Sequence, residues 1–182
     1  IADEDVAEYS EDYGLSGTPG SQNSVFQEDI GVTYYVSTSG SDSNDGSEGS
    51  PFATIQAGID ASSDGNTVLV SAGTYVENIN FNGKNIEVQG EDRETTIIDG
   101  NQSGSVVIAQ NVESALSGMT IQNGSIGVIP QNQSDYHGGG IYIDNSTFMV
   151  DNCIIKENNI DGRGGGISSM WSDFTIKNSL VY

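Results

Sequence analysis

Gly138-Gly139-Gly140-Ile141 recurs as Gly164-Gly165-Gly166-Ile167, displaced by 26 residues. The same displacement relates Phe148 to Phe174, Val150 to Ile176, Asn152 to Asn178 and Ile155 to Val181. One self-similar period of this size marks a solenoid, whose units bury their apolar faces by stacking on one another. Three short strands are expected within the period, near Ile141–Asp144, Thr147–Val150 and Cys153–Lys156. An earlier segment, Ser117-Gly118-Met119-Thr120-Ile121, matches Asp151-Asn152-Cys153-Ile154-Ile155 at a displacement of 34, which puts a loop between Ser125 and Tyr136. Three strands per winding give three parallel sheets, with rungs roughly 4.8 Å apart.

If windings stack, equal register means physical contact. Phe148 should lie on Phe174, Val150 on Ile176 and Ile155 on Val181, all facing inward. Cys153 falls in a slot shared with Met119 and Ser179 and reads as a small buried core thiol. Asn152 over Asn178 reads as a ladder of side-chain amides at a bend.

Upstream, Tyr34–Ser37 reads as a strand and Gly40–Gly49 as a polar turn segment. Ser50-Pro51-Phe52 is expected to open a helix, with Ser as cap and Pro in the first turn, ending near Ser62–Gly65. Phe52, Ile55 and Ile59 would share its apolar face. Thr67–Val70 reads as a buried strand and Ala72–Tyr75 as a turn, with short strands at Ile79–Phe81, Ile86–Val88, Thr96–Ile98 and Val106–Ala109. Residues 1–31 differ: eight acidic residues, no basic one, and a Gly-Ser-Thr-Pro stretch give a disordered acidic lead or linker. Residues 32–182 are expected to be the N-terminal part of the solenoid, truncated at the C-terminus.

The chain carries 26 acidic and 5 basic residues, a formal charge of -21, with no Lys or Arg before Lys84. Such a surface repels nucleic acid and anionic lipid, which excludes both as partners. No run of about 18 apolar residues is present, so membrane insertion is not expected. The 24 Gly and abundant Asn, Ser and Asp suit many tight bends, because these residues tolerate or support turn conformations.

The segment Tyr34-Tyr35-Val36-Ser37, then Gly40-Ser41-Asp42-Ser43-Asn44-Asp45-Gly46, then Ser50-Pro51-Phe52-Ala53-Thr54-Ile55-Gln56, resembles the opening of the pectate-lyase-like right-handed parallel β-helix superfamily. Val68–Tyr75 is similar to its first full coil, and the Gly-Gly-Gly-Ile repeats also resemble surface β-helix proteins. The resemblance covers about Tyr34 to Tyr182. It implies an all-β, right-handed parallel β-helix with a capping α-helix at its amino end. It further implies a secreted or cell-surface setting and a polysaccharide or cell-surface glycan as partner. Aligned by the 26-residue period, Tyr182 matches Lys156 in the middle of the third strand, so further β-helix coils of the parent chain are expected to follow. Physics agrees with a cap, since a bare solenoid end exposes core side chains and strand edges.

Lyases of this superfamily use a Lys or Arg base, usually with Ca²⁺ held on acidic side chains, so the resemblance leaves Ca²⁺ as a cofactor to consider. Lys84, Arg93, Lys156 and Lys177 read as surface or turn residues, with Arg93 in local ion pairs. Asp42, Asn44 and Asp45 miss the alternating spacing of a Ca²⁺ loop and read as a turn. The 26-residue displacement aligns Asp135 with Asp161 and His137 with Arg163, which would stack into one patch before the first strand of each winding. Tyr136, Tyr142 and Trp171 would add flat apolar faces of the kind on which pyranose rings stack. Turn chemistry is the competing reading of this patch. The expectation is a non-catalytic module for polysaccharide binding or adhesion; the alternative is the N-terminal part of a polysaccharide lyase or glycosidase acting on acidic glycans.

Overall fold

A computed structural model describes residues 31–126, 138–160 and 164–182. β1 (Thr33–Val36) leads to the single described helix, α1 (Ile55–Ala61). The first coil holds β2 (Thr67–Val70), β3 (Gly73–Val76) and β4 (Ile79–Asn80); the second holds β5 (Glu87–Gly90), β6 (Thr96–Asp99) and β7 (Val107–Gln110). The third holds β8 (Glu113–Ser117), β9 (Thr120–Gln122), β10 (Ser125–Ile126) and β11 (Ile141–Asp144). The fourth holds β12 (Thr147–Asp151), β13 (Ile154–Lys156), β14 (Asn159–Ile160) and β15 (Ile167–Met170), and β16 (Asp173–Lys177) and β17 (Leu180–Val181) follow.

Strands of equivalent position pair in parallel, coil upon coil. The first sheet runs β1-β2-β5-β8-β12-β16, the second β3-β6-β9-β13-β17 and the third β4-β7-β11-β15. The winding is right-handed, the hand that parallel crossovers take. Register follows the sequence repeat: Phe148 pairs with Phe174, Val150 with Ile176, Ile141 with Ile167 and Ile155 with Val181. The displacement of 34 holds as well, pairing Asp151 with Ser117 and Ile155 with Ile121. A short extra pair, β10 with β14, was not foreseen.

Alternation along each strand fills the interior. Val68, Val88, Leu116 and Val150 are fully buried in the first sheet. Phe81 meets Phe148 edge-on, with ring centroids 5.2 Å apart. Each such side chain contributes about 1.5–3 kcal/mol when buried. Cys153 is buried, as expected; its thiol donates toward the Asp151 carbonyl, and burial pushes its pKa up to about 11.

Three sequence expectations are corrected. Ala72–Tyr75 is not a turn: Gly73–Val76 is β3, paired with β6. Tyr75 faces inward and its hydroxyl donates to the Ser71 carbonyl. The helix starts at Ile55, capped by Thr54, whose side chain accepts from the Ala57 N–H. Pro51 and Phe52 instead continue the polar turn segment, and Phe52 bridges Val36 through backbone hydrogen bonds with Tyr35 and Ser37. This covers part of the free edge of β1. Lastly, Asn152 and Asn178 form no amide pair with each other. Asn178 donates to Asp151, while the amide pair sits at another bend, where Asn145 donates to Asn111 at 2.8 Å.

The cap is held electrostatically at both ends. Asp42 accepts from the N–H groups of Ala53 and Thr54, and Glu77 from those of Ile55 and Gln56. Lys84, expected to be a plain turn residue, donates to the Ile59 and Asp60 carbonyls at 2.8 and 2.7 Å. Anions at the helix start and a cation at its end match the helix dipole.

Candidate functional site

The bends between sheets share one device. A residue with positive φ turns the chain, and the residue after it points back into the bend as Val112 or Met119 in the earlier coil and as Ser146, Cys153, Ser172 or Ser179 in the later ones. Between the third and first sheets the turning column is Asn111 (φ 55°), Asn145 (φ 46°) and Trp171 (φ 43°). Between the first and second sheets it is Gly118, Asn152 and Asn178. Gly and Asn suit this conformation; a bulky aromatic does not. Behind the turning residues, Ser146 accepts from the Val112 N–H and donates to the Asp144 carbonyl, while Ser172 accepts from the Ser146 N–H.

Trp171 therefore occupies a position for which its own side chain is poorly suited, and it is 82% exposed. It lines the same groove as the Asn111–Asn145 amide pair, at the corner between the third and first sheets. The Asn145 carbonyl oxygen accepts no hydrogen bond among the described residues. A groove of about 500 Å³ runs along this corner, lined by Trp171, Asn111, Asn145, Thr147, Glu113 and Asp173, among others. Thr147 pairs with both Glu113 and Asp173, so these three side chains form one outward column on the first sheet. An exposed indole beside free amide and hydroxyl groups can stack on a sugar ring and bond its hydroxyls.

Of the residues singled out from sequence, Asp135, Tyr136, His137, Asp161 and Arg163 lie outside the described residues. Tyr142 and Trp171 are described, and they are differently placed. Tyr142 is buried on the third sheet, between Ile108 and Ser168 in register, and its hydroxyl reaches the Met170 sulfur at 4.0 Å. Its ring is thus not open as a stacking face, whereas that of Trp171 is. On the same sheet Asp144 accepts from Gln110 through one carboxylate oxygen, while the other is buried and has no partner among the described residues.

Sequence reasoning missed Asn111, Asn145, Glu113 and Asp173. The signal was present: the 26-residue displacement that defined the repeat also aligns Trp171 with Asn145. Among the basic residues singled out from sequence, Lys84 departs from its expected turn role by binding the end of α1. Arg93 pairs with Glu94 at 3.5 Å and also donates to the Asn178 carbonyl. Lys177 is exposed and Lys156 half-buried. The Asp45 carboxylate accepts from Ser47 within its turn, whereas that of Asp42 accepts from Ala53 and Thr54 at the start of the cap. Among the described residues no group of three or more His, Cys, Asp and Glu side chains is arranged to hold a metal ion, and no helix is long and apolar enough to cross a membrane.

Comparison with known proteins bears on the scaffold. The profile of a protein family of unknown function (DUF1565) matches residues 38–82, the turn segment, cap and first coil. The uncharacterized protein YwoF of Bacillus subtilis (strain 168) is 29% identical over 146 residues, which is 74% of this chain and 30% of that protein. Pectin methylesterase PemA from Erwinia chrysanthemi superposes with a TM-score of 0.52 at 18% identity, over 78% of this chain and 47% of the enzyme. A pectin methylesterase variant in complex with a hexasaccharide gives 0.51 at 18%, over 79% of this chain and 48% of the enzyme. The chain thus spans less than half the length of each of these proteins. At such identity the likeness to the two enzymes establishes the scaffold alone, and that scaffold is the right-handed parallel β-helix.

Proposed function

We propose that this chain is a non-catalytic β-helix module that binds polysaccharide at the Trp171 corner groove, within a secreted or cell-surface protein. The observation that carries the reading is Trp171: an exposed aromatic held at positive φ in a column otherwise built of Asn. Backbone strain retained at an exposed side chain points to a use for that side chain. The rigid coils would hold the indole and the Asn145 amide in fixed relation, which lowers the entropic cost of binding. Two relatives in fold are named for action on pectin, and one is in complex with a hexasaccharide, which agrees with a glycan partner. Phe174, Ile176, Leu180 and Val181 are exposed on the last windings, a surface suited to further coils.

The chain contains one Trp, so fluorescence excited at the red edge, where tyrosine does not absorb, reports on this groove alone. Titration with oligosaccharides of several linkages is expected to shift the Trp171 emission, and calorimetry is expected to show binding lost in Trp171→Ala. Emission unmoved by every glycan, or binding that persists in Trp171→Ala, would remove the reading. A second reading, the N-terminal part of a lyase or glycosidase acting on acidic glycans, draws support from the unpartnered buried oxygen of Asp144. Release of unsaturated product or new reducing ends from polyuronates, abolished by Asp144→Asn, would favour it.

A further inference from the structure

We propose that the corner groove selects uncharged glycans and turns uronates away, with Glu113 and Asp173 as the residues that set this choice. The inference rests on the reading of the groove as a glycan site and adds the class of glycan to it.

Trp171 and the Asn111–Asn145 amides are neutral and have no preference of sign. The charge of the groove comes from Glu113 and Asp173. These two flank Thr147 in the outward column of the first sheet, one rung to either side, so their backbones stand about 10 Å apart along the axis. Both are exposed. Neither carboxylate is engaged: among the described residues no hydrogen bond or ion pair is made by the side chain of either. The Glu113 backbone N–H, by contrast, is fixed by the Asn85 side chain, which holds the residue in place. Among the described residues no Lys, Arg or His lines this groove, and Lys177 lines the adjoining one that Glu113 and Asp173 also border. The cation on the same strand as Asp173 is Lys177, four residues on and about 13 Å away by strand rise.

A sugar stacked on Trp171 would meet the pair of carboxylates from the side. A pyranose is a few ångströms across, so successive residues of a glycan lying along the axis pass both acids. Hydroxyl groups can donate to free carboxylates, and such hydrogen bonds are stronger than neutral ones. A uronate carboxylate in the same place finds no donor of opposite charge and two like charges. Two such contacts at solvent-exposed range weaken binding by about tenfold at physiological salt. The same geometry that rewards a neutral sugar therefore penalises an acidic one.

The test uses a matched pair that differs in charge: hexagalacturonate and its fully methyl-esterified form, together with neutral glucan and galactan hexamers. Trp171 fluorescence and calorimetry are read in chelator, so that Ca²⁺ cannot bridge carboxylates. The uncharged glycans are expected to bind about tenfold tighter than hexagalacturonate, with a wider gap at low salt and a narrower one at 1 M, where the Debye length is about 3 Å. Glu113→Gln with Asp173→Asn should bring the gap to within about threefold by removing both near contacts. Glu48→Gln with Glu157→Gln, which changes net charge equally but away from the groove, should leave it. Hexagalacturonate binding as tightly as its ester, or a gap unchanged in the Glu113/Asp173 variant, overturns the charge selection while leaving the groove a glycan site. No response to any glycan in the panel overturns the glycan reading, and this inference with it.

Discussion

Replacing Trp171 by Asn should make the protein more stable and unable to bind. At φ 43° a bulky residue pays roughly 1–2 kcal/mol that Asn largely avoids. Against this stands lost burial. The indole is 82% exposed, so about a fifth of a ring of roughly 250 Å² is covered, worth about 1 kcal/mol. An Asn at position 171 would also extend the pair that Asn145 makes with Asn111, adding about 0.5–1.5 kcal/mol. The net expectation is a gain of about 1 kcal/mol, or a melting temperature higher by about 2–4 °C in a chain of this size. Thermal and urea denaturation followed by circular dichroism would measure it, with calorimetry for glycan binding. A lower melting temperature would mean that the corner does not prefer Asn. Retained glycan affinity would mean that the strained indole serves no ligand. Either result refutes the reasoning that strain here is kept for function.

Three other outcomes follow from the packing. Lys84→Met should lose both hydrogen bonds to the end of α1 and lower stability by about 2 kcal/mol, seen as a lower urea midpoint; a change under about 0.5 kcal/mol would show that the clamp is idle. Burial raises the Glu77 pKa above its ordinary 4.5, against the pull of the Ile55 and Gln56 N–H groups. Its folded state thus holds the proton more tightly, so this contribution is fully present below the ordinary value and is lost as pH rises through the folded one. The stability difference between the parent protein and Glu77→Gln, from urea curves across that window, should shrink with rising pH; growth would contradict the assignment. Cys153, with its pKa pushed up to about 11, should resist thiol-specific reagents near neutral pH until the protein is denatured. Stoichiometric labelling of the native chain would show that the slot is open.

What could be read from residues alone is what repeats. A displacement of 26 is a statement about stacking, because only windings laid over one another make residues so far apart equivalent. Hence the register of Phe148 on Phe174 and the buried slot of Cys153 were legible before any coordinates. What varies between windings was not. Thr74 and Tyr75 looked like a turn after Gly73, yet pairing with β6 makes them strand. Ser50 and Pro51 have the composition of a helix start, but backbone bonds of Phe52 to β1 delay the helix to Ile55. Lys84 carries no local sign that it reaches a helix end 24 residues earlier.

The candidate site divides the same way. Trp171 could be picked out as an aromatic beside a repeat, and its alignment with Asn145 was already implied by the period. That its neighbours are an amide pair and two unengaged carboxylates, while Tyr142 is shut away, depends on which face each strand turns outward and on what lies over it. Periodicity along a chain records which positions are equivalent in a stack, because stacking imposes it. Exposure, bend conformation and the company a side chain keeps arise from three sheets closing around one core, and only the closed structure decides them.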